Sequence, residues 1–230
     1  MRYILAVLSF LGFLQATAVT AQNGPVVIEL FTSQGCSSCP PADAMLHDLA
    51  KRDDVIALAL HVDYWDYIGW KDVFGRPENT LRQHGYAQAA HATTVYTPQM
   101  VIGGVEHVVG SRPMQVMDAV QAQMRRGNAV AVTLTRSGNS LQINASTATR
   151  GDYVVQLVRY TPEQTVAIRR GENAGRTLNY SNIVKSWDVI GRWDGRSALS
   201  LATTADGPDA VVVIVQQNGH GPIVGAAQLR

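Results

Sequence analysis

The sequence predicts an α/β domain on the N-terminal side and an all-β, sandwich-like domain after it. Three observations predict this. A β-branched apolar run, Val26 to Phe31, leads through a helical stretch into a second apolar run, Val55 to His61. A strand, helix, strand order of that length implies parallel pairing through a right-handed crossover. Beyond Gly127-Asn128 the helical pattern stops, and short alternating segments follow one another between Gly, Asn, Asp and Pro.

The first residues read as a secretion signal. Arg2 supplies a positive start, and Ile4 to Leu14 is apolar apart from Ser9 and Gly12. Small residues follow, with Ala16-Thr17-Ala18 and Val19-Thr20-Ala21 as cleavage options. Cleavage after Ala21 is expected, so residues 1–21 are the signal peptide. The apolar run falls short of the roughly 20 residues that a membrane span needs. No later segment is long and apolar enough to cross a bilayer, so no stable membrane insertion is expected. The expected destination is outside the cytoplasm, in the periplasm.

Residues 22–127 form the expected α/β domain. The chain turns at Thr32 to Gly35 into Cys36-Ser37-Ser38-Cys39, and Pro40-Pro41 precedes a helix over Ala42 to Arg52. Proline suits a helix start, where amide donors lack partners. A second helix is expected over Glu78 to Ala92. Gln99 to Ile102 and Val105 to Val109 read as a hairpin turning at Gly103-Gly104. Pro113 to Arg126 closes the domain as a helix, with Val116, Met117, Val120 and Met124 on one face.

Residues 128–230 form the expected β-rich domain. Its candidate strands are Ala129 to Thr135, Leu141 to Ala145, Tyr153 to Tyr160, Thr165 to Arg169, Ile183 to Trp193, Val211 to Gln217 and Ile223 to Leu229.

Composition narrows the function classes. The chain has 230 residues, 46% hydrophobic and 16% charged, an ordinary globular balance. A formal net charge of +1 with scattered basic residues argues against nucleic acid and anionic membrane surfaces as partners. No cofactor is implied, and the sequence sets no oligomeric state.

The two cysteines, both in one C-x-x-C, are the chemical signal. A bridge across two residues closes almost no loop, so its value is chemical rather than mechanical. A cysteine opening a helix sits near unpaired amides and the positive end of the helix dipole, which favour the thiolate. Cys36 is therefore expected to be the more exposed nucleophile, and Cys39, one turn on, the buried resolving thiol. The doubled proline leaves a second arrangement open, in which the helix starts only at Pro40.

Phe31-Thr32-Ser33-Gln34-Gly35-Cys36-Ser37-Ser38-Cys39-Pro40-Pro41-Ala42-Asp43 resembles the secreted family called DUF1223. So do His61-Val62-Asp63-Tyr64-Trp65-Asp66 with Gly69-Trp70, and the Gly171-Glu172-Asn173 and Gly175-Arg176-Thr177-Leu178 segment. That resemblance implies a thioredoxin-like fold for the domain with the C-x-x-C, and it transfers no activity. It also implies that Pro98 is a cis-proline beside the dithiol, with the Thr97 backbone pairing with substrate. Thioredoxin-like enzymes place an acid beneath the second cysteine to move its proton, and Glu29, within an apolar strand, takes that assignment. The alternative for Glu29 is an acid on a strand face that reaches solvent.

His61 and Asp63 close the second strand, at the end of parallel strands where ligand crevices lie. His61 is either a tuner of Cys36, a soft-metal ligand with Cys36 and Cys39, or a histidine satisfied within the fold. Tyr64, Trp65, Tyr67 and Trp70 are core packing or a substrate rim, and Trp65 joins Thr97 as the expected substrate-binding pair. Asn173, Arg176, Asn182, Arg192 and Asp194 are read as surface-loop residues without a role.

These readings lead to an exported thiol–disulfide oxidoreductase whose Cys36/Cys39 pair acts on protein or peptide thiols and disulfides. Two alternatives stand beside it. One is a copper-binding chaperone using Cys36, Cys39 and His61. The other is an envelope interaction protein in which the β domain does the binding and the dithiol is idle.

Overall fold

A computed structural model describes residues 24–230, so the expected signal peptide lies outside the described residues. In chain order the elements are β1 (Val26–Thr32), α1 (Pro40–Leu49), β2 (Val55–His61), α2 (Pro77–Ala89), β3 (Gln99–Ile102), β4 (Glu106–Val109) and α3 (Pro113–Arg126). Seven strands follow: β5 (Val130–Ser137), β6 (Ser140–Thr147), β7 (Tyr153–Ala167), β8 (Thr177–Trp193), β9 (Leu199–Thr204), β10 (Ala210–Gln217) and β11 (Ile223–Leu229).

The protein is mixed α/β: one large mixed sheet with three helices, and a small antiparallel sheet. Strands β1 and β2 run parallel from Val26↔Val55 to Thr32↔His61, and β3 and β4 extend that sheet antiparallel. Every residue of β1 and β2 is buried, which explains their near-continuous apolar runs. The hairpin between β3 and β4 turns on Gly103 and Gly104, whose φ values of +60° and +75° favour glycine.

The β-rich half is not the separate sandwich expected from sequence. Its strands β7, β8, β10 and β11 continue the N-terminal sheet, in the order β11-β10-β7-β8-β2-β1-β3-β4. The junction is a parallel pairing of β2 with β8 at Ala59↔Ile183. Asn182 reinforces it by donating its side-chain amide to the Ala57 carbonyl oxygen at 2.8 Å. One apolar core draws on both halves: Val27, Phe31, Leu58 and Leu60 pack with Tyr86 of α2 and with Val158, Tyr160, Val212 and Ile214. Sheet and core thus cross the boundary expected at 127/128. The opposite side of β1 and β2 is covered by α1 and α3 through Ile28, Leu30, Leu46, Ala57, Val116 and Val120.

A sandwich-like contact does exist within the second half. The sheet β5-β6-β9 packs Val130, Leu141, Ile143 and Ala145 against Tyr153, Val155, Val211 and Val213 of the large sheet. Three strand assignments change. Strand β8 begins at Thr177, ahead of the expected start at Ile183. The segment at Thr165 is the end of the long β7, paired with β8 through Ala167↔Thr177, rather than a strand of its own. Strand β9 was not expected; it is a short edge strand with only partial burial, and such strands carry a weak pattern. Among the described residues no helix is long and apolar enough to cross a membrane.

Candidate active site

Alternation along the strands decides what meets at their carboxyl ends. Val26, Ile28 and Leu30 of β1 face the helices α1 and α3, so Thr32 does too. Val55, Ala57 and Ala59 of β2 do the same, which brings His61 to that side. Helix α1 turns Ala42, Asp43, Leu46 and Leu49 toward the sheet. Thr32, Asp43 and His61 therefore converge at the mouth of the loop that carries the cysteines.

Cys36 and Cys39 are joined by a disulfide, their Cα atoms 5.4 Å apart. The chain reaches them by two tight turns, with the Cys36 amide on the Ser33 carbonyl oxygen at 3.1 Å and the Cys39 amide on that of Cys36 at 3.2 Å. Regular helix begins only at Pro40, with Cys39 as its N-cap and Pro40-Pro41 filling the first two helical positions. Cys36 thus lies outside the first turn, against the simpler sequence reading, because consecutive prolines fit only where no amide bond is required. Nor is Cys36 exposed. It is 1% accessible and Cys39 0%, while Ser37 and Ser38 between them are open to solvent. The Ser38 hydroxyl lies 3.4 Å from Cys36 Sγ.

Beside the disulfide is a cluster of buried polar groups. Thr32 Oγ1 donates to Asp43 Oδ1 at 2.8 Å. Asp43 is one turn along α1 from Cys39, and its amide bonds the Cys39 carbonyl oxygen at 3.1 Å. Burial pushes the Asp43 carboxyl up to about 7, against the pull of His61 and the Thr32 hydroxyl. His61 Nδ1 donates to Asp72 Oδ2 at 2.7 Å, and the Gln34 amide donates to the same oxygen at 2.7 Å. Burial alone would raise Asp72, but His61 and the amides of Gln34 and Phe74 hold it below the usual carboxylate range. Tyr180 stacks edge-on against His61, ring centroids 4.9 Å apart, and burial keeps its phenol protonated. Asp43 Oδ2, His61 Nε2, Gln34 Nε2 and the Tyr180 hydroxyl are all buried without a hydrogen-bond partner. Unpaired buried groups are costly, and the gathering of four of them here makes this cluster the candidate site.

The second half of the chain closes over this loop. The connection from β7 to β8, residues 168–176, lays Asn173 across it. Asn173 Nδ2 donates to the carbonyl oxygens of Gln34 at 2.9 Å and Cys36 at 3.0 Å. The Ser37 amide donates to Glu172 Oε2 at 3.2 Å. Asn173 and Asn182, read from sequence as surface residues, are 1% and 7% accessible.

The other expected site residues fall as follows. The Thr97–Pro98 bond is cis. Pro98 and Ala42 of α1 border one spot: a methyl group added at Gly110 would meet the Cβ atoms of both, at 3.3 and 3.1 Å. Trp65 Nε1 donates to Thr97 Oγ1 at 2.8 Å, and Trp65 packs against Gly35 of the cysteine loop. Asp63 accepts from the Thr80 hydroxyl at 2.6 Å, tying the segment after β2 to α2. Glu29 is not beneath Cys39. As an odd position of β1 it points away from α1, into the core under α2. There Arg82 Nε and Nη2 donate to its two oxygens at 2.5 and 2.9 Å, and the Tyr86 hydroxyl donates at 2.5 Å. The buried acid on the dithiol's side is Asp43. The signal available for it was an acid spaced four residues after Cys39, on the helix face that the apolar residues bury. The alternative metal set of Cys36, Cys39 and His61 is not among the arrangements found: among the described residues, no group of three or more His, Cys, Asp or Glu is arranged to hold a metal ion.

The model of the family described as "Protein of unknown function (DUF1223)" matches residues 27–216. The chain belongs to the DUF1223 family. The match takes in Cys36, Cys39, Asp43, His61 and Asp72, and also Asn173 of the second half, so DUF1223 covers both sides of the site. The crystal structure of protein AGR_C_4864 from Agrobacterium tumefaciens is similar to this DUF1223 protein at 35% identity, with a TM-score of 0.79 over 91% of this chain and 96% of that one. The crystal structure of hypothetical protein PH1083 from Pyrococcus horikoshii is similar at 11% identity, with a TM-score of 0.25 over 44% of this chain and 86% of that one. No curated protein matches the chain.

Proposed function

We propose that this DUF1223 protein is an exported thiol–disulfide oxidoreductase of thioredoxin-like type. The observation that carries the reading is the Cys36–Cys39 disulfide at the carboxyl ends of two parallel strands, opening α1 beside a buried acid raised to about 7. A carboxyl group near neutrality is matched to proton exchange with a thiol. The order β1, α1, β2, then β3, β4, α3, with β1 and β2 parallel and β3 and β4 antiparallel, supports the thioredoxin-like assignment. The apolar N-terminal segment supports export, with Gln22 as the first residue of the exported protein.

In the oxidising direction a substrate thiolate attacks Cys36 Sγ. A substrate–Cys36 disulfide forms, the Cys36–Cys39 bond breaks, and Cys39 leaves as thiolate and takes the proton held by Asp43. A second substrate thiolate then attacks the substrate sulfur, Cys36 leaves, and the substrate carries the new disulfide. Two electrons pass from substrate to the cysteine pair. Reversal of the same steps reduces a substrate disulfide, with Asp43 accepting the Cys39 proton. Trp65 and Thr97 border the loop and are proposed to bind substrate.

Trapping tests the reading. Cys39→Ala in the exported protein should capture partners as mixed disulfides through Cys36, because the resolving thiol is gone. Cys36→Ala should capture few. Capture by neither variant, together with failure of the wild type to exchange with any protein thiol or disulfide, sinks the oxidoreductase reading.

A further inference from the structure

We propose that Asn173 and Glu172 are specificity-determining residues: they latch the 168–176 strap over the dithiol and hold back bulky thiols. The inference rests on the Cys36–Cys39 pair being the reacting centre, and it gives the second half of the chain a part in the chemistry.

Four observations carry it. First, the loop between the cysteines is open to solvent at Ser37 and Ser38, yet both cysteines are covered. An attacking thiolate must reach a sulfur along the S–S axis, so a covered disulfide reacts only after something moves. Second, the strap grips the cysteine loop by its backbone. The two Asn173 donors take the Gln34 and Cys36 carbonyl oxygens, and the Glu172 carboxylate takes the Ser37 amide. Asn173 fills its remaining capacity within the strap, where Arg176 Nη1 donates to Asn173 Oδ1 at 3.0 Å. Its amide orientation is thereby set, with both protons aimed at the cysteine loop.

Third, the strap is a self-contained unit at the tip of a two-stranded ribbon. The Ile168 amide bonds the Arg176 carbonyl oxygen at 2.9 Å and the Gly175 amide bonds the Ile168 carbonyl oxygen at 2.8 Å, so the ends close on each other. Ile168 is buried at the base of the strap and stays with the ribbon; beyond it only Asn173 is buried, while Arg169, Arg170, Glu172, Ala174 and Gly175, the part that would lift, are exposed. Releasing the strap therefore exposes little apolar surface, and polar contacts decide whether it stays down. Fourth, Gly171 seats the strap against the aromatic segment that flanks the loop, 3.2 Å from Trp70 Cβ by the reach of an added methyl group. The strap so bridges from the Trp65–Trp70 side to the start of α1, where a protein substrate would have to settle.

The step at issue is simple thiol exchange. A reductant thiolate forms a disulfide with one cysteine, the Cys36–Cys39 bond breaks, and the second reductant thiol releases the first cysteine as it closes its own disulfide. A slender dithiol needs a small opening, whereas a protein dithiol needs the strap displaced.

The test compares two reductants on the intact protein: dithiothreitol and a reduced thioredoxin. Asn173→Asp keeps the shape but turns acceptors toward two carbonyl oxygens. Glu172→Ala, at an exposed position, removes only the Ser37 contact and guards against a folding defect. Loss of two hydrogen bonds predicts that Asn173→Asp raises the rate with reduced thioredoxin, relative to that with dithiothreitol, by about tenfold. Glu172→Ala should raise the same ratio by a few-fold. An unchanged ratio in both variants overturns the proposal. The outcome is separable from the fate of the oxidoreductase reading: a raised ratio with no partner captured by Cys39→Ala leaves the latch standing and removes the physiological role.

Discussion

Two buried acids lie on opposite faces of the same pair of strands, and they differ in how they are satisfied. Glu29 is 0% accessible and fully engaged: Arg82 and Tyr86 bond its oxygens, Gln156 and Gln216 complete the Arg82 guanidinium, and Arg82 stacks 3.7 Å from the Trp187 ring centroid. Asp43 is nearly as buried but has one oxygen bonded by Thr32 and one bonded by nothing. A charge removed from water is tolerated when it is paired and hydrogen-bonded, and otherwise the group holds its proton. The first acid ties α2 to both halves of the large sheet. The second has only the Thr32 hydroxyl as a side-chain partner and lies one helical turn from Cys39, beside a disulfide whose exchange chemistry moves a proton. Burial alone does not single out a candidate acid; burial together with an unpartnered oxygen makes Asp43, not Glu29, the candidate.

The largest expected effect falls on the paired acid. Glu29→Ala leaves the Arg82 guanidinium buried without its counter-charge and should cost about 3–5 kcal/mol in urea denaturation. Disulfide reactivity in the folded fraction should not change. A shift in reactivity without a loss of stability would break the comparison, since Glu29 would then be acting on the cysteines.

The second effect falls on the idle acid and depends on pH. The folded protein holds the Asp43 proton up to about 7, whereas the ordinary carboxyl value is 3.8. A raised folded value means that the group's contribution to stability is full below about 3.8 and is lost as pH rises through 7. Relative to wild type, Asp43→Asn should therefore gain stability between pH 4 and 8, by up to about 4 kcal/mol at 1.36 kcal/mol per unit. It should also flatten the pH dependence of Cys39 release near neutrality. Denaturation curves at pH 4 and pH 8 give the first quantity, and rates of reduction by dithiothreitol across that range give the second. Equal pH profiles for variant and wild type would place Asp43 with Glu29 as a purely structural acid.

The smallest effect sharpens the edge of the site. Trp65→Phe keeps the Cβ and backbone contact with Gly35 but removes the 2.8 Å bond to Thr97 Oγ1. It should lower stability by about 1 kcal/mol and leave the Asp43 pH profile in place. A changed profile would tie the Trp65–Thr97 contact to the cluster around Asp43.

Much of the first half was legible in the residues. The paired apolar runs of β1 and β2, the glycine turn between β3 and β4, and the proline-led α3 all follow from local pattern. The C-x-x-C at the head of α1 was equally plain. The choice between Glu29 and Asp43 was not, because it depends on which face of β1 meets α1. Alternation assigns Glu29 and Phe31 to one face and Leu30 and Thr32 to the other, but it does not say which face the helix covers. Asp72 was also missed. It reaches His61 from a loop 11 residues on, and loop contacts leave no periodic trace. Asn173 lies 137 residues from the Cys36 carbonyl oxygen that it bonds.

By itself the sequence determined the strand–helix–strand unit, the position of the dithiol on it and the strand-rich character of the second half. Those follow from side-chain periodicity, proline geometry and cysteine spacing, which act over a few residues. Only the tertiary structure decided that the second half completes the first half's sheet through Ala59↔Ile183, that both cysteines are covered, and that Asp43 is the unpaired acid. Each depends on surfaces distant in the chain finding each other, and the energy that selects those contacts is the burial of apolar area and the satisfaction of backbone groups, both properties of the whole fold.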